Sequence, residues 1–212
     1  TPKIAGLLKD ANCKVIQMSI ESPNYELRKK VLGRNMTDEE IFRGVKYALE
    51  SGINILAYSM LGIPNSIIKD DINAIDFCIR AGIKVCEFPI YQPFPKTKLG
   101  DLCKDNKWLD KNISEIDMGN KKISVLNCFS QSEKNIQLNI SHLGTIAIKY
   151  PYLRNLIMNK LIFLSNPKLY QRLYSINKMF TYPKYVYKRK YSLKERIEIL
   201  KKGIIKEKRE IS

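Results

Sequence analysis

Three stretches in the first half of the chain share one pattern: DANCKVIQMSIES, ESGINILAYSMLG and RAGIKVCEFPIYQ. Each carries a residue able to take a positive φ (Asn12, Gly52 or Gly82), followed by a largely apolar run. A helix that closes on a left-handed residue and hands the chain straight to a buried strand leaves this signature. The copies are spaced widely enough for a strand, a loop and a helix each. The pattern therefore predicts three successive βα units, a parallel sheet and the α/β class.

The helices between the strands are separately marked. Thr37 and Glu40 have capping-box spacing, and Ile41, Val45, Ala48 and Leu49 supply an apolar stripe ending near Ser51. A second helix, about residues 68–81, presents Ile68, Ile72, Ile75 and Ile79, and a shorter one spans about 24–32. Ile4, Leu7 and Leu8 mark residues 3–11 as the end of a helix whose own strand would precede it. Parallel strands are normally covered on both faces and flanked at their edges, so the first strand, Lys14 to Ile20, lacks a neighbour on one side. The expected object is a barrel cut open, which agrees with a first residue that is Thr1 and not methionine.

Composition narrows the chemistry. Five cysteines (Cys13, Cys78, Cys86, Cys103 and Cys128) never form a Cys-x-x-Cys pair, which fits neither a disulfide framework nor a zinc site. They read as small buried hydrophobes of a reducing compartment, and with no signal pattern or membrane-length apolar run the expected location is cytoplasmic. One histidine, His142, excludes any scheme that needs two imidazoles, and it reads as a helix packing residue. Charge is uneven: residues 1–110 hold 16 Lys and Arg against 14 Asp and Glu, the rest 21 against 7. An electrostatic partner would therefore be met by the second half.

In such folds, function gathers just past the carboxyl ends of the strands. Those places hold Ser19-Ile20-Glu21-Ser22, Leu61-Gly62-Ile63-Pro64 and the run PIYQPFPKTKL from Pro89 to Leu99. Their order and spacing resemble the later barrel strands of radical S-adenosylmethionine enzymes. The nearest likeness is to the group with a cobalamin-binding domain in front, which includes the anaerobic magnesium-protoporphyrin ester cyclases. That group's pattern runs Gly-Ile-Glu-Ser, then a Leu with an Arg or Lys seven residues on, then Gly-Leu-Pro-Gly-Glu and Pro-x-Pro-Gly-Thr-x-Leu. Here Leu27 and Arg34 supply the second landmark, and the resemblance covers residues 1–102.

The resemblance implies part of a (βα) partial TIM barrel over residues 1–110, followed by a helical, basic C-terminal extension over 111–212. It implies S-adenosylmethionine bound at the strand ends. Glu21 would accept from the ribose hydroxyls or the amino group, with Ser19 beside it, and Arg34 would face the methionine carboxylate with its forked guanidinium. Tyr58, Met60 and Gly62 would press against ribose and adenine, and Phe88 and Tyr91 would wall the adenine or an organic substrate. Family enzymes hold a 4Fe-4S cluster on Cys-x-x-x-Cys-x-x-Cys, and no such triplet exists here. The resemblance therefore places the cluster ligands, and the cobalamin domain if the group's plan holds, in a missing N-terminal half or a partner chain; this chain alone makes no radicals. The sequence also departs from the pattern: Ser19, Asn65 and Lys96 stand where the family has Gly, and Ser66 where it has an acid.

For the second half, the sequence predicts a short strand at 121–128, helices at about 132–149 and from Pro167 to Phe180, and an apolar side through Leu153, Leu156, Ile157, Leu161 and Leu164. TYPKYVYKRKY (181–191) interleaves aromatic and basic residues, and a last amphipathic helix at 192–206 sets Leu193, Ile197, Leu200 and Ile204 on one face. Three readings compete: a helical cap over the barrel mouth, a basic aromatic surface for phosphodiesters, and a segment resting on an anionic membrane. The alternative for the whole chain is a non-catalytic nucleic-acid-binding module on a relict barrel.

Overall fold

The computed structural model describes residues 1–110 and 123–187, together with 192, 194, 195 and 198. The expected helix at 192–206 falls outside the described residues apart from those four positions, as do residues 121–122 of the expected strand. The fold is mixed α/β. Strands β1 (Val15–Glu21), β2 (Asn54–Ser59) and β3 (Val85–Glu87) form a parallel sheet in the order β1-β2-β3. Helices α1 (Pro2–Asp10), α2 (Asp38–Glu50) and α3 (Ile68–Arg80) alternate with them, as the repeated junction predicts. Asn12, Gly52 and Gly82 all take φ between 60° and 78°, and each lies between a helix end and a strand.

Thr37 and Glu40 close the capping box of α2, each side chain bonded to the other's backbone N–H. Ile41, Val45 and Ala48 are buried, but Leu49 is 36% exposed, because the stripe turns away from the sheet as the helix ends. In α3 the buried face runs through Asp71, Ala74, Ile75 and Cys78, with Ile68, Ile72 and Ile79 only half covered. The short helix at 24–32 is a π-helical turn, Leu27–Val31, in which the Leu32 N–H reaches the Leu27 carbonyl.

The third strand is shorter than its apolar run, since Pro89 has no N–H to offer the ladder. The chain stays beside β2 through two backbone bonds, Leu61 N–H to the Pro89 carbonyl and Tyr91 N–H to the Leu61 carbonyl. Residues 123–128 are not a strand. They instead pack Leu126, together with the following Phe129, against Tyr91 and against Cys103 of α4 (Lys98–Asp105).

Helices α5 (Gln131–Lys149), α6 (Arg154–Asn159) and α7 (Pro167–Tyr185) complete the described chain. Ser130 and Glu133 form a second capping box at the start of α5. One apolar core joins α2 and α3 to the later helices, with Ile140, Leu143, Ala147, Ile157, Met158 and Tyr170 in the same cluster as Ile75, Phe77 and Phe88. Gly144 makes the approach of α5 possible: a Cβ there would stand 2.7 Å from Ile75 Cδ1 and 3.1 Å from the Phe88 ring.

Candidate functional site

Side chains alternate across a strand, so register assigns each one to a face. Ile16, Met18 and Ile20 of β1, Ile55 and Ala57 of β2 and Cys86 of β3 pack into the core with α2 and α3. Val15, Gln17 and Ser19 therefore point the other way, alongside their register partners Asn54, Leu56 and Tyr58 and, across β3, Val85 and Glu87. Of the residues expected to face a nucleoside, Ser19 and Tyr58 are direct neighbours on this second face.

At the end of β1 the register shifts between Ser19 and Glu21, and Glu21 takes φ 65°. A bulge with a left-handed residue re-aims a side chain at a strand end. The Glu21 carbonyl accepts the Met60 N–H at 2.8 Å and the Ser59 hydroxyl at 3.2 Å, which fixes the two strand ends side by side. The largely covered Glu21 carboxylate then meets Arg34, Nη2 to Oε1 at 3.5 Å, while the Arg34 side chain is 58% exposed. Glu21, Arg34, Ser19, Tyr58 and Met60 thus gather at one end of the sheet.

Gly62 lies behind this group. Its N–H donates to Asp71 Oδ1 at 3.1 Å, and a Cβ at its φ of 61° would come within 2.9 Å of Gln137 Oε1. Burial is the main reason that the Asp71 carboxyl is pushed up to about 7; the Gly62 N–H works against this and Asp70 adds to it. The turn after β2 is thereby tied both to α3 and, through Gln137, to α5.

Phe88, expected to wall the adenine or an organic substrate, is wholly buried on the helix side of the sheet, against Gly144. The reason is alternation: Glu87 takes the opposite face, and Phe88 must go to the core. Tyr91 is also buried, in the small cluster with Cys103, Leu126 and Phe129.

Several residues carry the arrangement without any local signal in the sequence. Arg28 is fully buried and donates to the carbonyls of Ser22 (2.7 Å) and Met36 (3.1 Å) and to Asp38 (2.5 Å), fastening both ends of the loop that holds Arg34. Glu87 receives the hydroxyls of Tyr174 and Tyr182 from α7, with Lys178 Nζ at 3.3 Å. Burial and the Glu87 carboxylate push both tyrosines well above the usual phenol range, so they stay protonated donors. Leu56, Val85 and Tyr182 pack together there, and Asn54 Nδ2 donates to the Tyr185 carbonyl. On the second face α7 therefore runs from Glu87 at the end of β3 to Asn54 at the start of β2, with Tyr58 packed against its cluster, while Glu21 and Met60 lie at the ends of β1 and β2 beside Arg34.

Among the described residues no cluster of His, Cys, Asp and Glu could hold a metal ion. Cys78, Cys86 and Cys103 are buried separately, Cys13 is half-buried and Cys128 is exposed. The cysteine set does not fit an iron-sulfur cluster. The donor set at the strand tips does suit S-adenosylmethionine: a carboxylate for ammonium or diol protons and a guanidinium for a carboxylate.

Comparison with known proteins bears on this site. Residues 1–78, which include β1, β2 and most of α3, match the Radical SAM superfamily model. Over 107 residues the chain is 25% identical to a Pyrococcus horikoshii protein named as an uncharacterized methyltransferase. That match covers 50% of this chain and 23% of the relative, so the chain spans about a quarter of the length of the curated relative it matches.

Proposed function

We propose that this chain supplies the later strands of a partial (βα) barrel in a radical S-adenosylmethionine enzyme, with the tips of β1 and β2 binding the nucleoside and amino acid portions of the cofactor. The carrying observation is the Glu21–Arg34 pair, set by a bulge beside Met60 within a region that matches the superfamily. Glu21 accepts from the ribose hydroxyls or the ammonium, Arg34 donates to the carboxylate, and Ser19 and Tyr58 line the face below. Asn65 (φ 68°) and Lys96 (φ 59°) support the reading: both stand where the resembled pattern has Gly, and both hold the left-handed backbone that favours Gly.

A 4Fe-4S cluster held by residues outside this chain would supply the electron for radical chemistry on the bound cofactor, while Glu21 and Arg34 would hold and orient that cofactor. The cluster ligands and any cobalamin-binding domain belong to sequence outside this chain. The edge of β1 away from β2 is where a preceding parallel strand of that missing half, or of a partner chain, would pair. The relative's name makes methyl transfer to an organic substrate the first reaction class to test, in a cytoplasmic enzyme.

The test uses the longer protein, recognised by an in-frame Cys-x-x-x-Cys-x-x-Cys upstream. Glu21→Gln and Arg34→Ala should each weaken S-adenosylmethionine binding by about 1–3 kcal/mol, the worth of a charged hydrogen bond, in titration calorimetry. Unchanged affinity in both variants removes the assignment.

A further inference from the structure

We propose that the outward face of α7 is a docking surface for an anionic lipid bilayer. One side of this helix is committed: Tyr170, Tyr174, Thr181 and Tyr182 face α5 and the sheet. The other side carries Leu169, Leu173, Ile176 and Phe180, spaced four, three and four residues apart, so they fall in one line along the helix. All four are between 37% and 49% exposed, and Phe163 and Leu164, just before the helix, are more than half exposed. A stripe of this length on a surface helix is a contact site, not scattered surface hydrophobicity.

Charge identifies the partner. Lys168 and Arg172 flank the stripe on one side and Lys184 on the other, all exposed. Between Glu133 and Glu195 the chain has no carboxylate at all and 12 Lys and Arg. Protein partners with mixed surfaces do not require such one-signed charge, and a polyanion such as nucleic acid gains nothing from a line of leucine, isoleucine and phenylalanine. A bilayer with anionic headgroups uses both: acyl chains take the apolar stripe, and headgroups take the flanking cations. No helix among the described residues is long and apolar enough to cross a membrane, so the contact is an in-plane one.

The experiment is sedimentation of the 212-residue chain with sucrose-loaded vesicles, either of phosphatidylcholine alone or with a quarter of it replaced by phosphatidylglycerol. The expected result is partitioning at least roughly tenfold stronger to the anionic vesicles, falling as salt rises. Leu173→Ser with Ile176→Ser should lose at least about tenfold in binding, with an unchanged circular dichroism spectrum, since both side chains are already exposed. Lys168→Gln with Arg172→Gln should lose preference for the anionic vesicles while keeping residual binding to both. Four results overturn the proposal: no binding to either vesicle, full binding by the double-serine variant, binding that appears only after residues 188–212 are removed, or a dimer without lipid that the double-serine change dissolves. The third would mean the chain's own C-terminal segment covers the stripe. Tight binding to a DNA duplex that the serine changes leave intact, in a chain that ignores vesicles, would reassign the surface to nucleic acid.

Discussion

Asp71→Asn is the substitution with the most informative pH dependence. The wild-type carboxyl goes from 3.8 to about 7 on folding because it is buried beneath the turn after β2. The folded chain then binds more protons than the unfolded chain between those values, so stability falls as pH rises through that window. The favourable contribution is complete below about pH 4 and gone above about pH 7. Each pH unit of displacement is worth about 1.4 kcal/mol, which makes the ionised carboxylate cost on the order of 4 kcal/mol at pH 8. Asparagine keeps an oxygen for the Gly62 N–H, and its amide can donate to Gln137 Oε1, which has no partner in the wild type. Urea unfolding of the whole chain at pH 5 and pH 8 should show the wild type losing about 2–3 kcal/mol relative to the variant, because part of the contribution is already gone at pH 5, and the variant is the more stable of the two at pH 8. Parallel pH profiles for the two proteins would refute the reasoning, since nothing else at position 71 titrates.

Two further predictions follow from the loops. Arg28→Ala leaves two carbonyls at the ends of the Arg34 loop without their donor and opens a cavity where the buried side chain lay, and should cost about 2–4 kcal/mol by urea unfolding. Asn65→Gly and Lys96→Gly relieve left-handed backbone and should each stabilise by up to about 1 kcal/mol in the same assay, with the larger gain at Lys96, since asparagine tolerates the left-handed region better than lysine does.

The βα plan was readable because its signals are local. A positive-φ residue at a helix end, a capping box or a four-residue apolar period is set by neighbours in sequence, and Asn12, Thr37 with Glu40, and Val45 all behave accordingly. Motif order singled out Glu21 and Arg34, and their pairing depends on a bulge that no spacing announces. The burial of Phe88 on the helix side was not legible, because the strand ending at Glu87 fixes its face and that end depends on how Pro89 limits the ladder. Arg28, Asp71, Gln137 and Glu87 are polar residues in helical or strand runs that ordinarily read as solvated. Their roles arise from neighbours 6 to 95 residues away, such as Ser22 for Arg28, Gly62 for Asp71 and Tyr182 for Glu87. The last turn of α7 runs past Pro183, which offers no N–H to the carbonyl four residues back, and the helix closes with the Val186 and Tyr187 N–H groups on the Tyr182 carbonyl.

The glycine at 144 has a consequence for how such a chain can change. Because α5 touches Ile75 and Phe88 with no side chain between, the first half cannot be excised as a minimal unit without opening a trench along its own core. Shuffling a foreign C-terminal segment onto these three strands would demand an equally slender helix at that crossing. The crossing itself stays closed to larger residues at position 144.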